Sequence, residues 1–272
     1  MAKAELCVAA LQLNSQADVL QNLERTAELV QRAARRGAEL VLLPENFAFF
    51  GAEAQKRALA ESLADGAITR ALAEMAKQNS VYLVAGGFPE RTSDPERPHN
   101  TALVLGPDGS QLHSYRKIHL FDVDLGSGGS YSESAATSPG TDVVVVDAAG
   151  FRLGLSICYD VRFPELYRAL ADAGAEVLLV PAAFTLHTGK DHWHVLLRAR
   201  AIESQAFVVA AAQQGAHPGG RHTYGHSLIV DPWGTVIAEA PDGPGIVLAT
   251  LERSRLEAVR RSLPSLQHRK LK

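Results

Sequence analysis

Apolar residues recur along this chain in two rhythms. Leu20, Leu23, Ala27, Val30 and Ala34 fall at helical spacing and Gly37 follows as a stop signal, which predicts an amphipathic helix over residues 19–36. Almost wholly apolar runs at 6–13, 40–43, 81–85, 143–146, 153–157, 177–180 and 207–212 predict short strands, most of them buried on both faces. Helical patterns lie between several of these runs, so the chain reads as α/β.

An internal echo sharpens that reading. Gly37-Ala38-Glu39-Leu40-Val41-Leu42-Leu43-Pro44-Glu45-Asn46-Phe47 is matched later by Gly174-Ala175-Glu176-Val177-Leu178-Leu179-Val180-Pro181-Ala182-Ala183-Phe184. The echo predicts two related strand–helix–strand halves packed sheet against sheet as a four-layer α-β-β-α sandwich. The competing reading is coincidence within a common helix–turn–strand grammar. The halves differ at one telling place: Glu45 stands where the second half has Ala182. A carboxylate just past an apolar strand, followed by Phe47, Phe49 and Phe50, is partly desolvated unless it finds a partner. A solvated loop glutamate is the plainer alternative.

The 272 residues, 46% hydrophobic, suffice for a sizeable core, and no linker-like stretch divides them, so a single domain over 1–272 is expected, with residues 126–140 as an active-site loop. A net charge of -3 argues against a nucleic-acid partner. No run approaches a membrane span and no leader precedes the first strand, so a cytoplasmic protein without a membrane partner is expected. There are only two cysteines, Cys7 and Cys158, which does not make a disulfide framework. Cys7 sits in an apolar strand and reads as inert core.

Cys158 follows a strand whose other face carries Gly154 and Ser156, and Pro164-Glu165 opens a helix soon after it. A strand-to-helix turn exposes a side chain and aims free backbone N–H groups, which suits acyl transfer. A buried structural cysteine is the rival reading. Gly154-Leu155-Ser156-Ile157-Cys158 nearly spells a serine-hydrolase elbow, but its last glycine is the cysteine itself, leaving Ser156 as packing. Lys117, in Arg116-Lys117-Ile118-His119 after a strand at 111–115, is uninformative alone.

Together, Leu-Leu-Pro-Glu45-Asn-Phe, Tyr-Arg-Lys117-Ile-His-Leu-Phe-Asp and Cys158-Tyr-Asp-Val-Arg-Phe-Pro-Glu resemble the three signatures of the nitrilase superfamily of carbon–nitrogen hydrolases. The likeness extends through His192-Trp193-His194, Arg198-Ala199-Arg200-Ala201 and Tyr224-Gly225-His226-Ser227 to nearly the whole chain. It implies Glu45 as general base, Lys117 as oxyanion stabiliser, Cys158 as nucleophile, Glu133 as the family's second glutamate and the Tyr159 backbone N–H as a further oxyanion donor. For Glu133, in a loop rich in Gly and Ser, a solvated glutamate is the alternative. The nearest branch acts on deaminated glutathione, which implies release of 2-oxoglutarate and Cys-Gly. Omega-amidase action on α-ketoglutaramate, or hydrolysis of another small amide or N-carbamoyl compound, is the alternative within the family. Arg162, Phe184, Thr185, Arg198 and Arg221 are candidate substrate contacts. The resemblance also implies a homodimer or larger assembly, with residues 250–272 packing across subunits, and no cofactor.

Rival chemistries are weaker. His192 with His194, His222 with His226, and His217 fit no standard metal spacing, because Gly225 breaks any helix there, so no metal is expected. Phe184 occupies the place where a P-loop ending at Gly189-Lys190 needs its first glycine. A redox-sensing cysteine without catalysis would not call for Glu45 and Lys117 as well.

Overall fold

The computed structural model describes residues 3–126 and 129–271, so residues 127 and 128 of the expected active-site loop, and the extreme ends of the expected domain, lie outside the described residues. The first half runs β1 (Glu5–Gln12), α1 (Val19–Arg35), β2 (Leu40–Leu42), α2 (Glu53–Ala58), α3 (Ala67–Asn79), β3 (Tyr82–Glu90), β4 (His99–Leu105) and β5 (Gln111–Arg116). A small hairpin follows, β6 (Asp122–Asp124) with β7 (Ser130–Ser132). The second half comprises β8 (Val145–Ala148), β9 (Phe151–Leu155), α4 (Pro164–Asp172), β10 (Val177–Ala182), α5 (Leu186–Ser204) and β11 (Phe207–Ala212). The chain closes with β12 (Gln214–Ala216), β13 (His222–Tyr224), β14 (Leu228–Val230), β15 (Val236–Glu239), β16 (Gly245–Glu252) and α6 (Arg253–Ser262).

Two six-stranded sheets result, ordered β16-β1-β2-β3-β4-β5 and β15-β14-β11-β10-β9-β8. The echoed strands β2 and β10 each run parallel between two parallel neighbours, so the repeat in the sequence is a repeat in the sheets. Alternation along β1 sorts its side chains: Leu6, Val8 and Ala10 enter the core shared with the second sheet, while Ala9 and Leu11 pack under α1 and α3. With α4 and α5 covering the other sheet, the layers are α-β-β-α, as expected. β16 returns antiparallel to β1, so the end of the chain completes the first sheet.

The helix at 19–36 forms, but its buried stripe is not the one read from the apolar residues alone. Leu20 is 74% exposed, whereas polar Asn22 and Thr26 are buried beside Leu29, Val30 and Ala33. The Asn22 amide donates to the Gln16 and Ala48 carbonyls and Thr26 donates to the Asn22 carbonyl, which removes the cost of burying them. Within α6 the Arg260 guanidinium donates to the Gln205 and Ala175 carbonyls, and beyond it Arg269 pairs with Asp172, so this part of the 250–272 segment is docked on its own chain. Among the described residues no helix is long and apolar enough to cross a membrane.

Candidate active site

Glu45 lies beyond the carboxyl end of β2 and is 4% exposed. The backbone turns sharply there, with Asn46 in the left-handed region at φ 59°, a conformation asparagine tolerates better than most residues. The turn can close because β3 passes beneath it through Gly86, where a Cβ would sit 2.4 Å from the Pro44 carbonyl carbon. The second half then supplies partners: the Ala183 N–H, just past β10, donates to Glu45 Oε2 at 3.0 Å, and Gln213 donates to the Glu45 carbonyl at 3.1 Å. The carboxylate that distinguishes the first half is therefore clamped by the loop that lacks it.

Lys117 follows β5 and is 2% exposed. Its Nζ donates to Glu45 Oε1 at 3.0 Å and to Glu133 Oε2 and Oε1 at 2.8 and 3.1 Å. Asn100, at the start of β4, donates from one amide nitrogen to both carboxylates, 2.9 Å to Glu45 and 3.2 Å to Glu133. The Phe121 N–H reaches Glu133 Oε2 at 2.7 Å. Burial opposes charge on Lys117, yet the Glu133 and Glu45 carboxylates prevail and hold its pKa well above the usual lysine value. Burial likewise works against Glu133, and Lys117 overrides it to keep that carboxyl below its ordinary range.

Cys158 is 8% exposed in the strand-to-helix turn between β9 and α4, with φ at 50°. A left-handed conformation at a non-glycine residue is strained and persists only where its surroundings fix it. Asp160 does much of that fixing. It is fully buried and accepts from the Ile157 N–H at 2.8 Å, the Tyr115 hydroxyl at 2.7 Å, and His119 through its backbone N–H at 3.0 Å and ring Nδ1 at 2.7 Å. One carboxylate thereby ties the cysteine turn to the residues on either side of Lys117. Burial, then Glu45, push the Cys158 thiol pKa well above the usual cysteine value against the pull of Lys117. A protonated thiol beside a clamped carboxylate and a fixed ammonium provides a nucleophile, a proton acceptor and a charge for a developing oxyanion.

These groups form the floor of an open cavity whose wall includes Tyr159, Arg162, Phe184, Thr185 and Arg221. Arg198 is not in the wall: its Nε donates to the Gly234 carbonyl at 2.8 Å, so it braces α5 against the β14–β15 turn instead of meeting a ligand. Ser156 is the packing residue its position implied, bonded to the Tyr167 hydroxyl and the Leu179 carbonyl. Both cysteines are free, and Cys7 is only partly buried.

The histidines are paired differently from any spacing in the sequence. His194 Nε2 and His226 Nδ1 meet on one oxygen of Glu239, at 2.9 and 2.8 Å, and these donor types in one group could hold a metal ion. His217 is buried elsewhere, stacked on Phe50 at 3.9 Å and bonded to the Ser15 carbonyl and the Thr223 hydroxyl.

Asn100, Gly86 and the Ala183 N–H went unread in the sequence, and Asp160 entered only as part of the polar run that follows Cys158.

Comparison with known proteins places this geometry in context. A match to the carbon–nitrogen hydrolase family spans residues 7–261. A deaminated glutathione amidase of Synechocystis sp. (strain PCC 6803 / GT-S) is 50% identical over 265 residues, covering 96% of this chain and 97% of that protein. Saccharomyces cerevisiae Nit3, described as a member of branch 10 of the nitrilase superfamily, superposes with a TM-score of 0.90 at 32% identity, over 99% of this chain and 98% of that one. A mutant amidase from Nesterenkonia sp. AN1, whose active-site cysteine has undergone Michael addition of acrylamide, superposes with a TM-score of 0.80 at 30% identity, over 96% and 98% of the two chains.

Proposed function

The chain belongs to the carbon–nitrogen hydrolase family, and from that premise we propose that it hydrolyses the amide of deaminated glutathione, releasing 2-oxoglutarate and Cys-Gly through a thioester on Cys158. The substrate is supported by the relatives that bear that name. The chemistry is carried by one observation: the Lys117 ammonium is held between Glu45 and Glu133 beside the Cys158 thiol.

In this reading Cys158 Sγ attacks the amide carbonyl while Glu45 takes the thiol proton. The oxyanion that forms is held by Lys117 Nζ and the Tyr159 backbone N–H. Glu45 then delivers the proton to the departing nitrogen, the C–N bond breaks, and an acyl thioester remains on Cys158. Glu45 next takes a proton from water as that water attacks the thioester; the C–S bond breaks and the proton returns to sulfur. Glu133 keeps Lys117 charged and aimed from its far side. Every step uses groups of the chain and water.

Asp160 is a positioning residue in this scheme. Asp160→Asn keeps the shape but replaces one oxygen, and with it two of the four acceptor contacts, by a donor facing donors, so the cysteine turn or the Lys117 segment loses a fixed reference. The expected result is a fall in kcat of roughly 100-fold with KM little changed, since misplacement of about an ångström costs that much. Steady-state kinetics and a melting curve check it; an unchanged kcat in a folded variant would remove Asp160 from the account.

The substrate assignment is tested by comparing kcat/KM for deaminated glutathione, α-ketoglutaramate, N-carbamoyl amino acids and simple nitriles. Deaminated glutathione is expected to lead. Preference for α-ketoglutaramate would replace it with omega-amidase activity, and preference for nitriles would overturn the amidase reading. We further read residues 1–272 as one catalytic unit of a cytoplasmic homo-oligomer, a state supported by the exposure of the apolar Val195 and Ile202 on α5.

A further inference from the structure

The cavity is ordered by burial. At its floor Glu45, Lys117 and Cys158 are 4%, 2% and 8% exposed. At its mouth the Glu53 and Arg221 side chains are 44% and 37% exposed. Cations occur at both levels, and they are partnered differently from the floor lysine.

Arg162, one turn beyond Cys158, is half-buried with its guanidinium 4.9 Å from the Phe184 ring centre and one nitrogen 3.3 Å from His192 Nδ1. Among the described residues it has no carboxylate within salt-bridge distance, and burial pulls its pKa below the ordinary arginine value. A cation in that state is short of an anion.

Arg221 lines the same cavity on different neighbours. It follows Gly219 and Gly220, both in the left-handed region at φ 77° and 74°, and its carbonyl accepts from the His217 N–H at 2.8 Å. The buried His217–Phe50 stack anchors that turn, so the arginine projects from a fixed base. Its guanidinium is near two aromatic rings, 6.0 Å from the Phe50 centre and 5.7 Å from the Tyr131 centre. Both terminal nitrogens approach the same Glu53 oxygen at 3.4 Å, well beyond the 2.7–2.9 Å of a close charge-assisted bond. Lys56, one helical turn from Glu53 on α2, lines the same cavity and makes no salt bridge among the described residues. Its charge reaches the floor, where it helps keep Glu133 ionised.

Lys117 already serves Glu45 and Glu133. Outside that cluster Lys56, Arg162 and Arg221 face the single carboxylate of Glu53, and with Lys117, Glu45 and Glu133 included the described lining holds four cations against three carboxylates. The cations outside the catalytic cluster outnumber their carboxylate, so carboxylates at the ends of an amide substrate would meet Arg162 and the Arg221 and Lys56 side chains.

From this we infer an outer anion subsite, formed by Arg221 and Lys56, that takes the terminal carboxylate of the amine half of the substrate, while Arg162 faces the carboxylate of the acyl half. The inference rests on the proposed amidase reading and adds what selects the leaving group: a peptide-like amine ending in a free carboxylate. Glu53 is the placeholder that Arg221 partly gives up when that carboxylate arrives.

The test compares kcat/KM for deaminated glutathione, the same compound with its glycine carboxylate capped as the carboxamide, and α-ketoglutaramate. Each is measured on wild-type protein, Arg221→Gln and Lys56→Gln. A single charge-assisted contact of this kind predicts that the wild type prefers free acid to carboxamide by roughly 10- to 100-fold, through KM. Arg221→Gln should bring that ratio close to one, and Lys56→Gln should reduce it partway. A wild type that shows no preference between acid and carboxamide, or an Arg221→Gln protein that keeps the preference, overturns the outer subsite while leaving the amidase assignment standing. A wild type that favours α-ketoglutaramate overturns the substrate reading itself, and the subsite with it.

Discussion

Cys158→Ala is expected to abolish amide hydrolysis, with kcat down by roughly 10⁴-fold or more, while the protein folds and melts almost as the wild type does. The size follows from the division of labour at the site. Without sulfur there is no thioester, and the remaining Lys117 and Tyr159 N–H can only polarise a carbonyl for direct attack by water. The small effect on folding follows from what the side chain does in the structure: its thiol is held neutral by burial and by Glu45, so its removal leaves no unpaired charge. Alanine also keeps the Cβ that the left-handed turn at residue 158 already accommodates. Initial rates at saturating substrate, with a melting curve on the same preparation, give the result, and undiminished turnover in the variant would sink the nucleophile assignment.

The parts of the site that were legible in the sequence are those written locally. The apolar runs 40–43 and 177–180 placed strand ends close to the observed Leu42 and Ala182, and the echo between the halves isolated Glu45 by showing its counterpart to be alanine. Cys158 was legible as a turn residue because a small-residue strand face and a Pro-Glu helix start bracket it. What the sequence did not display is the contact between distant segments. The N–H that clamps Glu45 belongs to Ala183, and any residue but proline could have supplied it. Asp160 joins the cysteine turn to Tyr115 and His119, which nothing at the level of spacing foretells. Periodicity also misled in α1, where Leu20 was counted on the buried face and Asn22 and Thr26 were not, because hydrogen bonds can make a polar residue a good core residue. Arg198 was a reasonable anion contact by type, but α5 turns it towards the Gly234 carbonyl.

Lys117→Met is expected to be the other severe lesion, and it separates chemistry from stability in a way Cys158→Ala does not. The substitution nearly conserves volume but deletes the cation that both Glu45 and Glu133 contact, so two buried carboxylates are left sharing one Asn100 amide. Breaking a buried ion pair on one side costs about 3–5 kcal/mol, and one carboxyl is expected to escape the repulsion by taking up a proton. If Glu45 is that carboxyl, the base is lost along with the oxyanion contact. Turnover should fall by at least 100- to 1000-fold, the usual cost of one oxyanion donor. Adding Glu133→Gln to Lys117→Met removes one of the stranded charges, so the double variant should recover much of the lost stability and none of the activity. Denaturant titrations and kcat measured on the three proteins decide it. A single variant within tenfold of wild-type kcat would show that the ammonium is structural; a double variant no more stable than the single would show that the loss came from packing around residue 117 and not from unpaired charge.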